Sequence, residues 1–308
     1  MVKLLVLLTI PLIVIASLAC RSTDEGPDTD SLAVVTTSNI SQDWVQRVGG
    51  NRVDVFSLVP AGVDPHAFQP GAKDITRIAD ADVVFSIGLG LEEDWLRAML
   101  DAASSNPEAV VVLGDVTDPI SIGNQSDHVH EGVVDPHFWF DPIRVKLAVA
   151  EIALTLTSLD PANTQEYRDN TIAYLEELDE LHDWAQGILG SVPSERRVLL
   201  TSHDTLEYFA ARYGYEVVGT LIPGLTTAEE TSAKDLVAMI DVVRDRDVPA
   251  IFVENTTNDR LANRLAEEAD VAIVSSLYTG SLSNDDQDVD TYLEMMRTNI
   301  TTIVEALR

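Results

Sequence analysis

Only one cysteine, Cys20, stands in the 308 residues. A lone cysteine excludes an internal disulfide and a cysteine zinc cluster. Basic residues are also scarce. Against 51 Asp and Glu there are 20 Lys and Arg, giving a formal net charge of −31. Such a chain has no basic footprint for nucleic acid phosphates; its acidity suits cation partners or solubility in a salty medium. The apolar run near the start is shorter than the roughly 20 residues of a spanning helix. No His-Glu-x-x-His helix and no Gly-x-Ser-x-Gly elbow is present. What remains is globular: 45% hydrophobic and 23% charged residues, at a length that suits two domains.

Met1-Val2-Lys3 is a short basic start, and residues 4–18 are almost wholly apolar. That is the size of a signal-peptide core. Ser17-Leu18-Ala19-Cys20 resembles a bacterial lipobox, with Ser17 where a leucine is usual. The resemblance implies cleavage before Cys20 and lipidation of its thiol, with more than one acyl chain holding the protein to the membrane. Residues 1–19 are therefore expected to be a signal peptide, and residues 20–30 a lipidated cysteine with a flexible tether.

From Leu32 the pattern alternates. Strands are expected at 32–36, 53–59, 83–87 and 110–113, with helices at 41–48, 74–79 and 91–103 between them. This implies a parallel sheet covered on both faces. A helix at 142–159 follows. Asp160-Pro161 then reads as a cap and first helical residue, and Tyr167, Tyr174, Leu178, Leu181, Ala185 and Ile188 mark one face of a helix running to about Leu189. At about 45 Å it is too long for an ordinary crossover. Alternation then resumes, with strands at 198–202, 216–221, 250–254 and 271–274 and helices at 205–213, 232–244, 259–269 and 288–307. The fold class is α/β: two lobes with mainly parallel sheets, residues 31–159 and 191–308, joined by a rigid helix at 160–190.

Of the six histidines, two lie in matching contexts, Asp64-Pro65-His66 and Asp135-Pro136-His137. Proline fixes the backbone before each imidazole, and each aspartate can bond an imidazole N–H or order its loop. His203 ends the first strand of the second lobe. All three project from loops at the carboxyl ends of strands, where ligands gather in such sheets. If the lobes face each other, the three imidazoles meet, and neutral imidazoles suit zinc well. Their need for deprotonation predicts affinity falling near pH ~6.5. Glu254, at another strand end, is expected to support a ligand rather than be one. His128 and His130, in a short acidic loop, are candidates for weak metal capture, and His182 is expected to face solvent.

The motifs carry a resemblance. Residues 60–70 (PAGVDPHAFQP), 81–92 (ADVVFSIGLGLE), 135–142 (DPHFWFDP), 201–209 (TSHDTLEYF) and 292–299 (YLEMMRTN) resemble the metal-binding solute-binding lipoproteins of bacterial zinc and manganese ABC importers. The resemblance implies one metal ion held between the lobes by His66, His137 and His203. It also implies docking on an importer permease at the outer face of the cell membrane, and no enzymatic role. Histidine at the third position, where manganese-type members often carry glutamate, points to Zn2+ over Mn2+. One position departs: Gly280 stands where the family has a fourth, aspartate ligand, leaving that place to water or to another carboxylate such as Asp285, Asp286 or Asp288. The alternative class is a zinc-dependent hydrolase with an open three-histidine site.

Overall fold

Runs rich in β-branched residues form the strands, and capped amphipathic segments form the helices between them. The computed structural model describes residues 31–103, 109–122, 133–222, 224–227, 231–256, 260–283 and 289–308. The expected signal peptide, Cys20 and tether lie outside the described residues, as do His128, His130, Asp285, Asp286 and Asp288.

The first lobe runs β1 (Leu32–Thr36), α1 (Asn39–Gly49), β2 (Val53–Ser57), α2 (Ala72–Asp80), β3 (Val83–Ser86), α3 (Glu93–Ala103) and β4 (Val110–Val112). The strands are parallel, in the order β2-β1-β3-β4. Alternate side chains of β1 serve opposite faces. Val34 packs with Ile40, Trp44 and Val48 of α1, whereas Val35 packs with Ile78, Trp95, Leu96 and Met99 from α2 and α3. Burial on both faces explains why β1 and β3 are apolar without a polar alternation. A short antiparallel pair, β5 (Ser121–Ile122) with β6 (Val133–Val134), leads into α4 (Pro142–Leu159).

Pro161 does not open the long helix directly. Residues Pro161–Asn163 form a 3-10 turn, and α5 spans Thr164–Leu189. Asp160 accepts hydrogen bonds from the Asn163 amide and the Tyr167 hydroxyl, bracing the turn through side chains. At 26 residues, α5 is about 39 Å long. His182 is half-buried rather than solvent-facing, with its ring against Tyr213.

The second lobe runs β7 (Val198–Thr201), α6 (Glu207–Tyr213), β8 (Glu216–Thr220), α7 (Ala233–Asp245), β9 (Ala250–Glu254), α8 (Arg260–Ala269), β10 (Ala272–Leu277) and α9 (Tyr292–Leu307). Its parallel strands are ordered β8-β7-β9-β10. In both lobes, therefore, the first strand sits between the second and third. A capping box at Ser232 and Asp235 starts α7. One face of this sheet is covered by α7 and α8. The other faces a core shared with the first lobe: α9 returns across the molecule to α5 and α1, and one apolar cluster runs from Val34 through Tyr174 to Leu307. Asp141 caps α4 and takes both arms of Arg212 from α6, at 2.8 and 2.7 Å.

Candidate metal centre

Each candidate histidine is positioned by its own carboxylate, in three different ways. The chain leaves β6 into Asp135-Pro136-His137. Asp135 Oδ1 accepts the backbone N–H of His137 at 2.9 Å and its ring Nδ1–H at 2.7 Å. Tyr208 of α6 donates its hydroxyl to the Asp135 carbonyl at 2.6 Å, so the second lobe steadies this loop. The aromatic run Phe138–Phe140 forms a buried 3-10 turn behind it. His203 follows β7. Its ring Nδ1 meets Glu254 Oε1 at 2.7 Å and its backbone N–H meets the same oxygen at 3.1 Å. β7 and β9 pair in parallel, Thr201 opposite Phe252, which brings Glu254 to His203 from the neighbouring strand end. Glu254 Oε2 accepts the Thr279 hydroxyl at 2.6 Å. His66 stands in the loop after β2. Asp64 Oδ1 accepts its backbone N–H at 2.9 Å, and Asp64 Oδ2 accepts the hydroxyl of Thr227 from the second lobe. Phe68 packs edge-on to Trp95, 5.1 Å between centroids, and pins the far side of the loop.

The three imidazoles meet in a cluster. Ring centroids lie 5.2–5.4 Å apart. His66 Nε2 and His137 Nε2 are 3.2 Å apart, and one ligand atom from each histidine falls within 4.8 Å of the others. His137 and His203 are buried and His66 is partly exposed. His203 Nε2 is buried with no hydrogen-bond partner. With Nδ1–H given to a carboxylate, both His137 and His203 turn an Nε2 lone pair inward. Burial and the facing imidazoles His137 and His203 push the His66 pKa down to about 2. Burial, then His203, also holds His137 well below its usual 6.5, against a smaller opposing pull from Glu254. These rings thus stay neutral in mild acid, and any proton competition with a metal at these two imidazoles moves below the pH ~6.5 expected of free histidine. Burial pushes Asp135 up to about 7, against the His137 N–H bond and the His203 charge. Burial works to raise Glu254 too, but the His203 charge and its hydrogen bonds from His203 and Thr279 win, and its pKa is lowered.

Among the described residues, this trio is the group of His, Cys, Asp or Glu that could hold a metal ion. Asp64, Asp135 and Glu254 support the loops and rings instead of joining it. Several contributors went unread in the sequence: Thr227, Tyr208 and Thr279 lie far along the chain from the groups they serve. Glu92, buried just before α3, instead ties the ends of β1 and β3: it accepts from Thr37 Oγ1 at 2.5 Å, Ile87 N–H at 2.7 Å and Gly88 N–H at 2.9 Å. Its one local signal is an acid closing an otherwise apolar, glycine-rich turn.

Two parallel-sheet lobes meeting over buried, carboxylate-oriented imidazoles define a two-lobed solute-binding protein with a cleft suited to a metal ion. Residues 34–306 match the family described as zinc-uptake complex component A, periplasmic (ZnuA). The chain belongs to this family, whose members bind metal for uptake rather than act as enzymes, in keeping with the resemblance carried by its motifs. The manganese-binding lipoprotein MntA of Halalkalibacterium halodurans is 32% identical over 300 residues, covering 97% of this chain and 96% of that one. A manganese ABC transporter substrate-binding lipoprotein, PsaA of Streptococcus anginosus, is 29% identical and covers 100% of this chain and 99% of its own. Among solved structures, the periplasmic zinc binding protein TroA from Treponema pallidum superposes with a TM-score of 0.81 at 31% identity, over 90% of this chain and 99% of that one. A Mn-bound periplasmic metal binding protein from candidatus liberibacter asiaticus gives 0.78 at 27% identity, over 89% and 99%.

Proposed function

We propose that this protein captures a divalent transition metal between its lobes through His66, His137 and His203, with zinc preferred over manganese, and delivers it to the permease of an ABC importer. The observation that carries the reading is the convergence of three imidazoles, two of them oriented by buried carboxylates. Relatives are named for manganese and for zinc alike, so family alone does not select the ion. The donor chemistry supports zinc: three neutral nitrogens suit it, whereas carboxylate oxygens suit manganese. The reading extends to the ends of the chain. Residues 1–19 are removed as a signal peptide, Cys20 carries the lipid, residues 21–30 tether the body outside the cell membrane, and residues 31–159 and 191–308 act as lobes about the helix at 160–190.

Competition between zinc and manganese for the metal-stripped protein tests this, alongside His66→Ala, His137→Ala and His203→Ala. One tight equivalent of zinc, lost in each variant, is the expected result. Tighter manganese than zinc would overturn the ion assignment. Zinc binding that survives all three substitutions would overturn the site.

A further inference from the structure

Seven large apolar side chains are exposed among the described residues, and four of them, Leu147, Leu154, Leu159 and Ile172, belong to the hairpin of α4 and α5. Leu147, Ala150 and Leu154 recur at steps of three and four along the outer face of α4. Leu154 is the most exposed of the seven, at 66%. Val149, Ile152 and Leu156, on the opposite face, already fill the shared core, so the outer leucines are not needed to seat the helix. Charge is sparse here too. Residues 152–165 hold one charged side chain, Asp160, in a chain that is 23% charged. Asp160 is occupied by Asn163 and Tyr167. Pro161 and Ala162 at the turn are exposed. On a chain of net charge −31, an apolar and nearly uncharged patch marks a surface that something covers.

This patch lies at a definite end of the molecule. The described chain begins at Ser31, and Leu32 opens β1 opposite Val53 of β2. Next to Val53, Arg52 Nε donates to Glu166 Oε2 of α5 at 2.9 Å, and the Asn170 amide of α5 donates to the Val48 carbonyl at 3.0 Å. The α4–α5 turn thus sits where the strands start. The start of α4 sits where the strands finish: Pro142 opens the helix just after the His137 loop, and Arg144 donates to the Thr117 carbonyl beyond β4. The 18 residues of α4 separate these two ends by about 27 Å. From Cys20 to Ser31 the extended chain covers at most about 40 Å.

We propose that the turn end of the α4–α5 hairpin, with Leu154, Leu159, Pro161 and Ile172, rests on the outer surface of the bilayer that holds the lipid of Cys20, with the imidazole cleft turned outward. This rests on the lipid anchor proposed above. The anchor supplies what so small a patch lacks. A contact too weak to hold a free protein becomes populated once a short tether makes it intramolecular. Apolar side chains suit the headgroup boundary, and the sparse charge avoids burying carboxylates that the rest of this surface would bring. The posture belongs to the protein between deliveries. Meeting the permease requires the body to leave it, which a weak contact permits.

The test uses the lipidated chain, purified from membranes and placed in phosphatidylcholine vesicles. A lipid on Cys20 leaves no free thiol, so Ala162→Cys and Val116→Cys, exposed positions at opposite ends of α4, each take one environment-sensitive fluorophore. Doxyl-labelled lipid should quench the label at 162 and not the label at 116. Adding Leu154→Asp and Leu159→Asp should abolish the quenching at 162 while the protein still sediments with the vesicles. Equal quenching at both sites, or none at 162, in protein that sediments would overturn this inference and leave the anchor standing. A label at 162 that is shielded from water yet out of reach of the quencher would overturn the bilayer as partner and assign the patch to a protein. Quenching that survives the two aspartates in a folded variant would overturn the part given to the leucines. Should that variant fail to fold, the comparison of the two labelled sites decides. Labelling at Cys20, or failure to sediment, would overturn the anchor and this inference with it.

Discussion

Glu254 offers the sharpest separation between holding a ligand and being one. It accepts three hydrogen bonds, two from His203 and one from Thr279, in a buried setting. Glu254→Ala leaves the His203 backbone and ring donors without an acceptor, and each orphaned buried donor costs about 1–3 kcal/mol. The metal-free variant should therefore lose roughly 2–6 kcal/mol of stability. With its tautomer and orientation unfixed, the ring should bind zinc about 10–100-fold more weakly, the usual cost of removing a carboxylate behind a ligating histidine. Glu254→Gln separates charge from geometry. The amide oxygen can still accept from His203 and the amide nitrogen can donate to Thr279, so stability should fall less than in the alanine variant. The pH dependence adds a signed check. The folded pKa of Glu254 lies below its usual 4.5, so its contribution is present above that value and is lost as pH falls through the folded one. Glu254→Gln should lack this component of acid denaturation. Thermal melts and competitive zinc titrations of the three proteins read both quantities. Unchanged zinc affinity and melting temperature in Glu254→Ala would refute the reasoning.

Other expectations follow from the same structure. Asp141→Ala, which strands Arg212 and uncaps α4, should cost about 3 kcal/mol; an unchanged melting temperature would remove this pair from the account. In the stripped protein, burial lifts Asp135 to about 7, and burial with neighbouring acids lifts Asp43 and Asp204 to about 6 and Glu207 to about 7. Raised carboxyl pKa values make the folded state bind more protons than the unfolded one, opposing the depressed His66 and His137. Stability should accordingly rise on mild acidification, and a melting temperature falling steadily from neutral to about pH 5.5 would contradict this balance of four acids against two histidines. Cys20→Ser should release the protein from the membrane fraction, and retention would refute the lipid anchor.

The alternation of strands and helices was legible because β3, β7 and β9 are buried throughout and α1 and α7 open on side-chain caps. β1 and β9 fall where the apolar runs place them, Leu32–Thr36 and Ala250–Glu254. Differences arise where tertiary bonds decide a boundary. The final strand runs Ala272–Leu277, past the apolar run ending at Val274, because pairing with β9 resumes at Leu277 opposite Glu254. β5 and β6 are two-residue strands, too short for any period to show. The imidazoles were legible through the repeated Asp-Pro-His context, yet the different duties of their two aspartates were not. Asp135 reaches both the ring and backbone of His137, while Asp64 turns outward to Thr227, and only the meeting of the lobes distinguishes them.

The shared core that runs from Val34 to Leu307 has a further consequence for how the metal cluster comes to exist. His66 and His137 stand 71 residues apart, His203 comes from the other lobe, and the last helix must return to α1 and α5 before the two halves share their interior. A fragment ending before His203 lacks one of the three rings, and the closing helix packs on α1 and α5 in the core that the lobes share. An ion held by all three rings would stabilise the state in which they meet, by mass action. A truncated or partly folded copy would compete poorly for scarce metal, so cargo goes to the copies able to pass it on.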